Sequence, residues 1–378
     1  MLNRLAWPLT PRLPEGIELL VPAEAELGQP GAWSHLSIAG YEFNALEESP
    51  LAEVCRVLDP DLLQEAFETA DRVLVWNASF LQPAEIQAHF DRVLILDPHF
   101  YLDVEANNHA RLRYLLSRQE EREAQRKNAR RTYAEWFHQY TGVETACLFL
   151  TGPSLEAGLS RPLPGNSLRI ICNSLVKNDA FLEKIQPDLL VFADPAFHLG
   201  ISRYAAAFRD QALKALARYQ GCMCMVPERY LPLLLGHFPQ ELADRVIGMP
   251  EESEGDFNFP DPGKFWVRNT ANILTHLMLP IASALAPEIR IFGADGRQPR
   301  DAGFWQHNPA AQFSGLLGTI YQAHPSLERD RDIEEYYAGH CAIVEQMMQK
   351  GEREAGRCYF SETPSFIPAL SRRFRQLL

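Results

Sequence analysis

At 378 residues the chain is too long for one compact core, so two domains are the expectation. Its 46% apolar and 22% charged residues exclude a disordered protein. A formal net charge of -13 excludes a general nucleic-acid binder, because no surplus of Lys and Arg exists to neutralise phosphates. One small anionic ligand, held by a few local donors, remains compatible with that charge.

The first residues, MetLeuAsnArgLeuAlaTrpPro, lack the continuous apolar core of a secretory signal. No stretch reaches the roughly 18 apolar residues of a membrane span. The nearest, 273–287, is interrupted by Thr275, His276, Pro280 and Ser283. The expectation is a cytoplasmic protein without a transmembrane segment, with peripheral membrane association left open. Runs at 17–21, 35–39, 72–76 and 92–96 read as strands, and helical spacing covers 59–70 and 82–90. This alternation predicts a small α/β domain over 1–102, in which the strands near 72–76 and 92–96 run parallel. Residues 103–140 form a polar stretch dense in opposite charges four apart, read as one solvated connecting helix within 103–144. A surface for a partner, a lipid headgroup or a second copy of the chain is the sharper alternative there.

A second alternation starts near 145. Strand-like runs at 145–150, 168–172, 189–193, 222–226 and 289–293 enclose helical stretches at 177–186, 202–218, 228–236 and 270–286. That order predicts an α/β, Rossmann-like, mostly parallel sheet with helices on both faces, filling 145–378. Residues 249–264 read as an internal loop and 294–331 as a lid, followed by a helix at 332–350 and a short CysTyrPhe run. The seven cysteines are scattered and mostly set in apolar runs, as buried free thiols are. Cys222 and Cys224 share a strand face but lack the further ligands of a zinc site, so no metal is expected.

In parallel sheets ligands bind beyond the carboxyl ends of the strands, so the candidate residues are those just after each strand. The first strand is followed by Thr151, Gly152, Pro153 and Ser154, a tight turn that offers backbone N–H groups and a hydroxyl to an anion. The second ends in Asn173 and the third in Asp194. Arg268 and Thr270 precede the 270–286 helix, and the fifth strand ends in Asp295, Gly296 and Arg297. Tyr337 and His340 lie on the last long helix, and an imidazole suits proton transfer near neutral pH. Singly, each is a common turn, cap or structural histidine. Their succession is the informative feature.

GlyProSerLeu, CysAsn, PheAlaAspPro, ArgAsnThr, IlePheGlyAlaAsp and TyrAlaGlyHis in this order resemble glycosyltransferase family 42, the bacterial CMP-sialic-acid-dependent sialyltransferases. CysTyrPheSerGluThrProSer resembles that family's closing strand and loop, and the resemblance covers about 146–370. It implies a GT-A-like sialyltransferase variant of the fold and a metal-independent inverting transfer with no cofactor, the CMP-activated sugar being the donor substrate. It also implies that Thr151, Gly152, Ser154 and Asn173 line the CMP site. Asp194, Arg268 and Thr270 would contact the donor's phosphate, ribose or carboxylate, while His340 deprotonates a glycan or protein acceptor. Thr151 and Asp194 stand where the family has Asn. For its two lid tyrosines the chain offers Arg297, Trp305, His307 or Tyr321. The AspPro at 194–195 is nearer to the domain shared by Maf flagellin glycosyltransferases and a hydroxymethylpterin pyrophosphokinase. The second of these implies that Asp194 and Asp295 hold magnesium for ATP. A nucleotide- or glycan-binding protein without catalysis is the third reading.

Overall fold

Apolar runs that read singly as strands pair, in the folded chain, into parallel ladders. The structure, a computed structural model, describes residues 2–9, 16–22, 54–76, 92–298, 301, 306–330 and 332–375. In the N-terminal part, β1 (Leu19–Pro22) pairs parallel with β2 (Cys55–Leu58), and β3 (Val73–Val75) with β4 (Val93–Ile95). The second pair is the one expected. The expected strand at 35–39 and helix at 82–90 lie outside the described residues. A helix unforeseen in the sequence, α1 (Leu2–Leu9), begins the chain, and α2 (Leu63–Thr69) follows a short turn at Pro60–Leu62.

The polar stretch after them is two helices, not one: α3 (Leu102–Leu116) and α4 (Gln119–Gln139). Ser117 turns extended, and its hydroxyl donates to the Arg113 carbonyl at 2.5 Å, closing the first helix. Glu120 and Glu121 then open the second, where carboxylates suit a helix N-terminus. Neither helix is merely solvated. Ala106, His109, Ala110 and Leu112 of α3 are buried, and Tyr133 and Trp136 of α4 join the main core. Their polar sequence hid this, because a narrow stripe of apolar residues suffices to seat a helix on a sheet.

The second half forms a seven-stranded sheet in which every neighbouring pair is parallel. Its strands are β5 (Thr145–Phe149), β6 (Ser167–Cys172), β7 (Leu189–Val191), β8 (Met223–Pro227), β9 (Val246–Met249), β12 (Glu288–Phe292) and β13 (Cys358–Ser361). The numbers between belong to a two-stranded ribbon, β10 (Glu251–Glu252) with β11 (Val267–Arg268). β5 and β7 are buried along their whole length, as a sheet covered by helices requires. The covering helices include α5 (Asp179–Ile185), α6 (Arg203–Arg218), α7 (Leu231–His237) and α8 (Leu279–Leu285). Asn178 and Ser202 cap α5 and α6 by accepting N–H bonds from Phe181 and Ala205. The mixed α/β, Rossmann-like fold expected from the alternation is therefore present. β9, only four residues long and holding Gly248, was not foreseen.

Other boundaries shift. The stretch read as a helix from 270 turns helical only at Ile273, passes through a π-turn at Leu274–Met278, and becomes α8 at Leu279. Thr270 is therefore not at a helix N-terminus. The 249–264 loop contains β10, and its Pro260 carbonyl accepts the Tyr133 hydroxyl of α4 at 2.8 Å. The 294–331 stretch holds α9 (Leu317–Ala323) and a short helical turn at Ser326–Arg329. The last long helix, α10, runs Ile333–Ala355, capped by Asp332 and ended by Gly356 in the left-handed region. The seven cysteines form no disulfide.

Candidate active site at the reversal of the sheet

The strand order is β13-β12-β5-β6-β7-β8-β9. From β5 the chain steps outward to β9, then returns to the other side of β5 with β12 and β13. The direction of winding thus reverses between β5 and β12, and such a reversal opens a crevice at the carboxyl ends of the two strands. Phe149 and Phe292 are register partners there, and their rings stack at 4.9 Å between centroids.

Above them the two chain segments nearly touch. The Leu150 N–H donates to the Phe292 carbonyl and the Gly152 N–H to the Gly293 carbonyl, each at 2.9 Å. A Cβ at Gly152 would stand 1.9 Å from Asp295 Oδ2 and 2.5 Å from the Gly293 oxygen, so only glycine fits. Gly293 has φ +69 and packs against the Leu150 carbonyl, which also requires glycine. The Ser154 N–H donates to Asp295 Oδ2 at 3.1 Å. Burial raises the Asp295 carboxyl above its ordinary range, an effect its bonds with Ser154 oppose.

The segment expected as a lid begins by lying across this turn. The Asn308 N–H donates to the Thr151 carbonyl at 2.7 Å, and Thr151 Oγ1 shares a 2.7 Å hydrogen bond with His307 Nδ1. Burial lowers His307 to about 4, so its ring is neutral at pH 7. Lys177 donates to the Pro309 and Gln312 carbonyls at 3.1 and 2.6 Å, and the Tyr204 hydroxyl donates to Gln312. Residues 307–312 are thereby pinned over the ends of β5 and β6. Asn308, followed by Pro309, accepts the Ala310 N–H as a local turn, and that AsnPro pair is a turn signal legible in the sequence.

Asn173, just past β6, adopts φ 51, a left-handed conformation that asparagine tolerates better than most residues. Its Oδ1 is buried and accepts no hydrogen bond among the described residues. Asp194, past β7, is occupied locally. Its Oδ1 accepts the Ala196 and Phe197 N–H groups at 2.9 Å, and its own N–H donates to His198 Nδ1 at 3.1 Å.

On the β12 side, a Cβ at Gly296 would stand 2.7 Å from the Tyr337 hydroxyl, so α10 closes on the Asp295 loop through that ring. Burial pushes Tyr337 up to about 12. Arg297 donates to the Asp301 carbonyl at 2.8 Å and lies 3.7 Å from Glu334. The Tyr336 hydroxyl donates to the Ala271 carbonyl at 2.6 Å, tying α10 to the Thr270 segment. His340 is one turn further along the helix, 3% exposed, and burial lowers it to about 4.

The sequence-selected residues Thr151, Gly152, Ser154 and Asp295 meet at the crevice, with Arg297 and Tyr337 on its β12 side. Two others are engaged with partners of their own. Thr270 is buried with its hydroxyl 2.9 Å from that of Thr275. Arg268 stacks over Phe257 at 4.9 Å and lines a groove with Lys350 and Arg353. Trp305 is outside the described residues, and Tyr321 is exposed on α9. Among the described residues no three His, Cys, Asp or Glu side chains are grouped as a metal ion would require, and no helix is long and apolar enough to cross a membrane.

No protein-family model matches the sequence, and no curated protein does. Among solved structures the chain is similar to the sialyltransferase CstII from Campylobacter jejuni, described in complex with a substrate analogue, CMP-3FNeuAc. The identity is 13%, the match covers 62% of this chain and 89% of that one, and the TM-score is 0.31.

Proposed function

We propose that this protein is an inverting glycosyltransferase that moves a sialic-acid-like, nonulosonic sugar from a CMP-activated donor to a glycan or protein acceptor. The observation that supports it most is the convergence of Thr151, Gly152, Ser154 and Asp295 on the crevice between β5 and β12. Nucleotides bind at such reversals because the loops leaving the two strand ends part there and open a crevice. In this reading the bare Gly152 lets Asp295 stand against the turn at the crevice, and the Asn173 amide reads the base or ribose. Asp295 accepts a hydroxyl of the nucleotide.

The reaction needs an acceptor hydroxyl, a base and a leaving group. His340, held neutral at pH 7 by burial, takes the acceptor proton. The freed oxygen forms a bond to the anomeric carbon as the bond to the phosphate oxygen breaks from the opposite face. CMP departs with that electron pair, its charge met by the Ser154 hydroxyl, which has no hydrogen-bond partner among the described residues. No step calls on a metal ion.

A thermal-shift titration with CMP, CDP, ATP and GDP, with and without magnesium, tests the reading. Binding at 100 times Kd stabilises the native state by about 2.7 kcal/mol. Stabilisation by CMP without magnesium is the expected result. Stabilisation by ATP only with magnesium would replace it with diphosphate transfer, and indifference to every nucleotide would remove it.

A further inference from the structure

The segment after β13 is fastened to the Asp295 loop position by position. The Gly293 N–H donates to Thr363 Oγ1 at 3.0 Å, and Ser365 Oγ donates to the Ala294 carbonyl at 2.6 Å. The Phe366 N–H donates to the Asp295 carbonyl, also at 2.6 Å. A Cβ at Gly296 would stand 3.0 Å from both the backbone nitrogen and Cγ1 of Ile367. Residues 293–296 are thus matched in order by 363–367. Both segments lie past the carboxyl ends of neighbouring parallel strands, β12 and β13, on the side where the crevice opens.

Thr363 and Ile367 are buried, as are Ala369 and Leu370 in the helical turn Pro368–Ser371 that follows. The Ile367 N–H donates to Ser365 Oγ at 3.1 Å, which closes the bend around Phe366. Between these fixed neighbours Phe366 is 53% exposed. Single exposed aromatic residues are ordinary on a protein surface. Val57, Leu62, Tyr101 and Tyr321 are further exposed large apolar side chains among the described residues, but only Phe366 is bonded to the crevice loop. Its backbone is held from both sides, so little conformational freedom is left to lose when a ligand covers the ring.

Asp295 divides the crevice into two sides. Its Oδ2 accepts the Ser154 N–H, on the side of β5 and of Asn173 past β6, whereas its carbonyl accepts the Phe366 N–H. Tyr337 shares the Phe366 side, because the same Cβ at Gly296 would meet both its hydroxyl and Ile367. His340 lies one turn beyond Tyr337 on α10. A nucleotide on Ser154 and Asn173 therefore leaves the Phe366 side, with the base, to the second substrate.

We propose, on the glycosyltransferase reading above, that Phe366 is the platform for the acceptor's sugar ring, and that the acceptor is a glycan ending in a pyranose with one apolar face. The face of an aromatic ring carries negative charge density, which attracts the electropositive C–H groups of such a sugar face.

Saturation-transfer NMR tests it, with and without CMP, using methyl β-glucoside and methyl β-galactoside, each of which has a face built of axial C–H groups. Glycerol, which has no ring face, is the control. The ring-face protons of at least one glycoside take up saturation from the wild type, and glycerol takes up none. Phe366→Ala weakens that binding about fivefold, and Phe366→Trp retains it. Phe366→Ala keeps the wild-type urea midpoint, since more than half of the residue is already in water, and its thermal shift with CMP is unchanged. Glycoside signals absent from the wild type, or equal in Phe366→Ala, would overturn the proposal. A CMP shift lost in Phe366→Ala would put the ring against the nucleotide and overturn it too, with the donor reading intact. Glycoside binding through Phe366 in a protein indifferent to CMP would support the sugar platform and remove the donor reading alone.

Discussion

Replacing Gly152 by alanine would put a methyl group at the narrowest point of the crevice. The new carbon would stand 1.9 Å from Asp295 Oδ2 and 2.5 Å from the Gly293 carbonyl oxygen. Asp295 can rotate aside, at the cost of its bond from the Ser154 N–H. The Gly293 carbonyl cannot, because it accepts the Gly152 N–H at 2.9 Å and follows directly on β12. Overpacking of this kind costs about 1–3 kcal/mol, and the broken backbone bond adds about 1 kcal/mol. Urea unfolding should therefore show Gly152→Ala destabilised by about 2–4 kcal/mol, with nucleotide-induced stabilisation lost. Gly165→Ala is the control: nothing lies within 4 Å of its added carbon, and it should stay within about 0.5 kcal/mol of wild type. Equal midpoints for the two variants would refute the close approach of β5 and β12 on which the site rests.

His340→Gln should lower transfer by about 100-fold or more with the circular-dichroism spectrum retained; a folded variant of wild-type rate would remove the histidine from the mechanism. Stability should also fall in acid. Burial lowers His109 to about 4, His198 to about 3 and His340 to about 4, so each binds its proton more readily in the unfolded chain. The stability that depends on these neutral rings is full above about pH 6.5 and declines as pH falls toward their folded values. Glu105 continues the trend. Burial would raise it, but His324 and then Arg4 outweigh that and hold it at about 2, so its contribution is lost between about pH 4.5 and 2. A urea midpoint at pH 5 equal to or above that at pH 7 would contradict the burial of these groups.

What the sequence disclosed follows from the reach of each signal. β5 to β8 were legible because a strand covered on both faces must be apolar throughout, and the turns after them because Gly152 and Asn173 meet backbone demands that few residues can. The helix break at Ser117 was hidden, since serine there ends one helix through a single hydroxyl bond. β9 was too short, with Gly248 inside it, to stand out from its surroundings. Arg268 illustrates the limit for the site. Its place before a buried segment matched an expected motif, but one residue of strand parity turned it outward onto Phe257 and brought Glu251 inward to His276. Glu251 itself lay in an acidic, turn-like run that gave no sign of burial.

The placement of α1 bears on how the chain comes together in time. Trp7 donates its indole N–H to the Leu199 carbonyl, stacks on His237 at 3.6 Å and carries Arg209 over its ring at 3.8 Å. Arg4 donates to the Ala323 carbonyl at 2.9 Å and to Glu105 at 2.5 Å. These partners leave the ribosome after roughly 100 to 320 further residues, or many seconds at ordinary synthesis rates. This helix is thus made well before the partners that seat it, with Trp7 exposed meanwhile. A substitution at Arg4 or Trp7 would act on a late step of folding as well as on the finished molecule, although both lie far in sequence from the crevice.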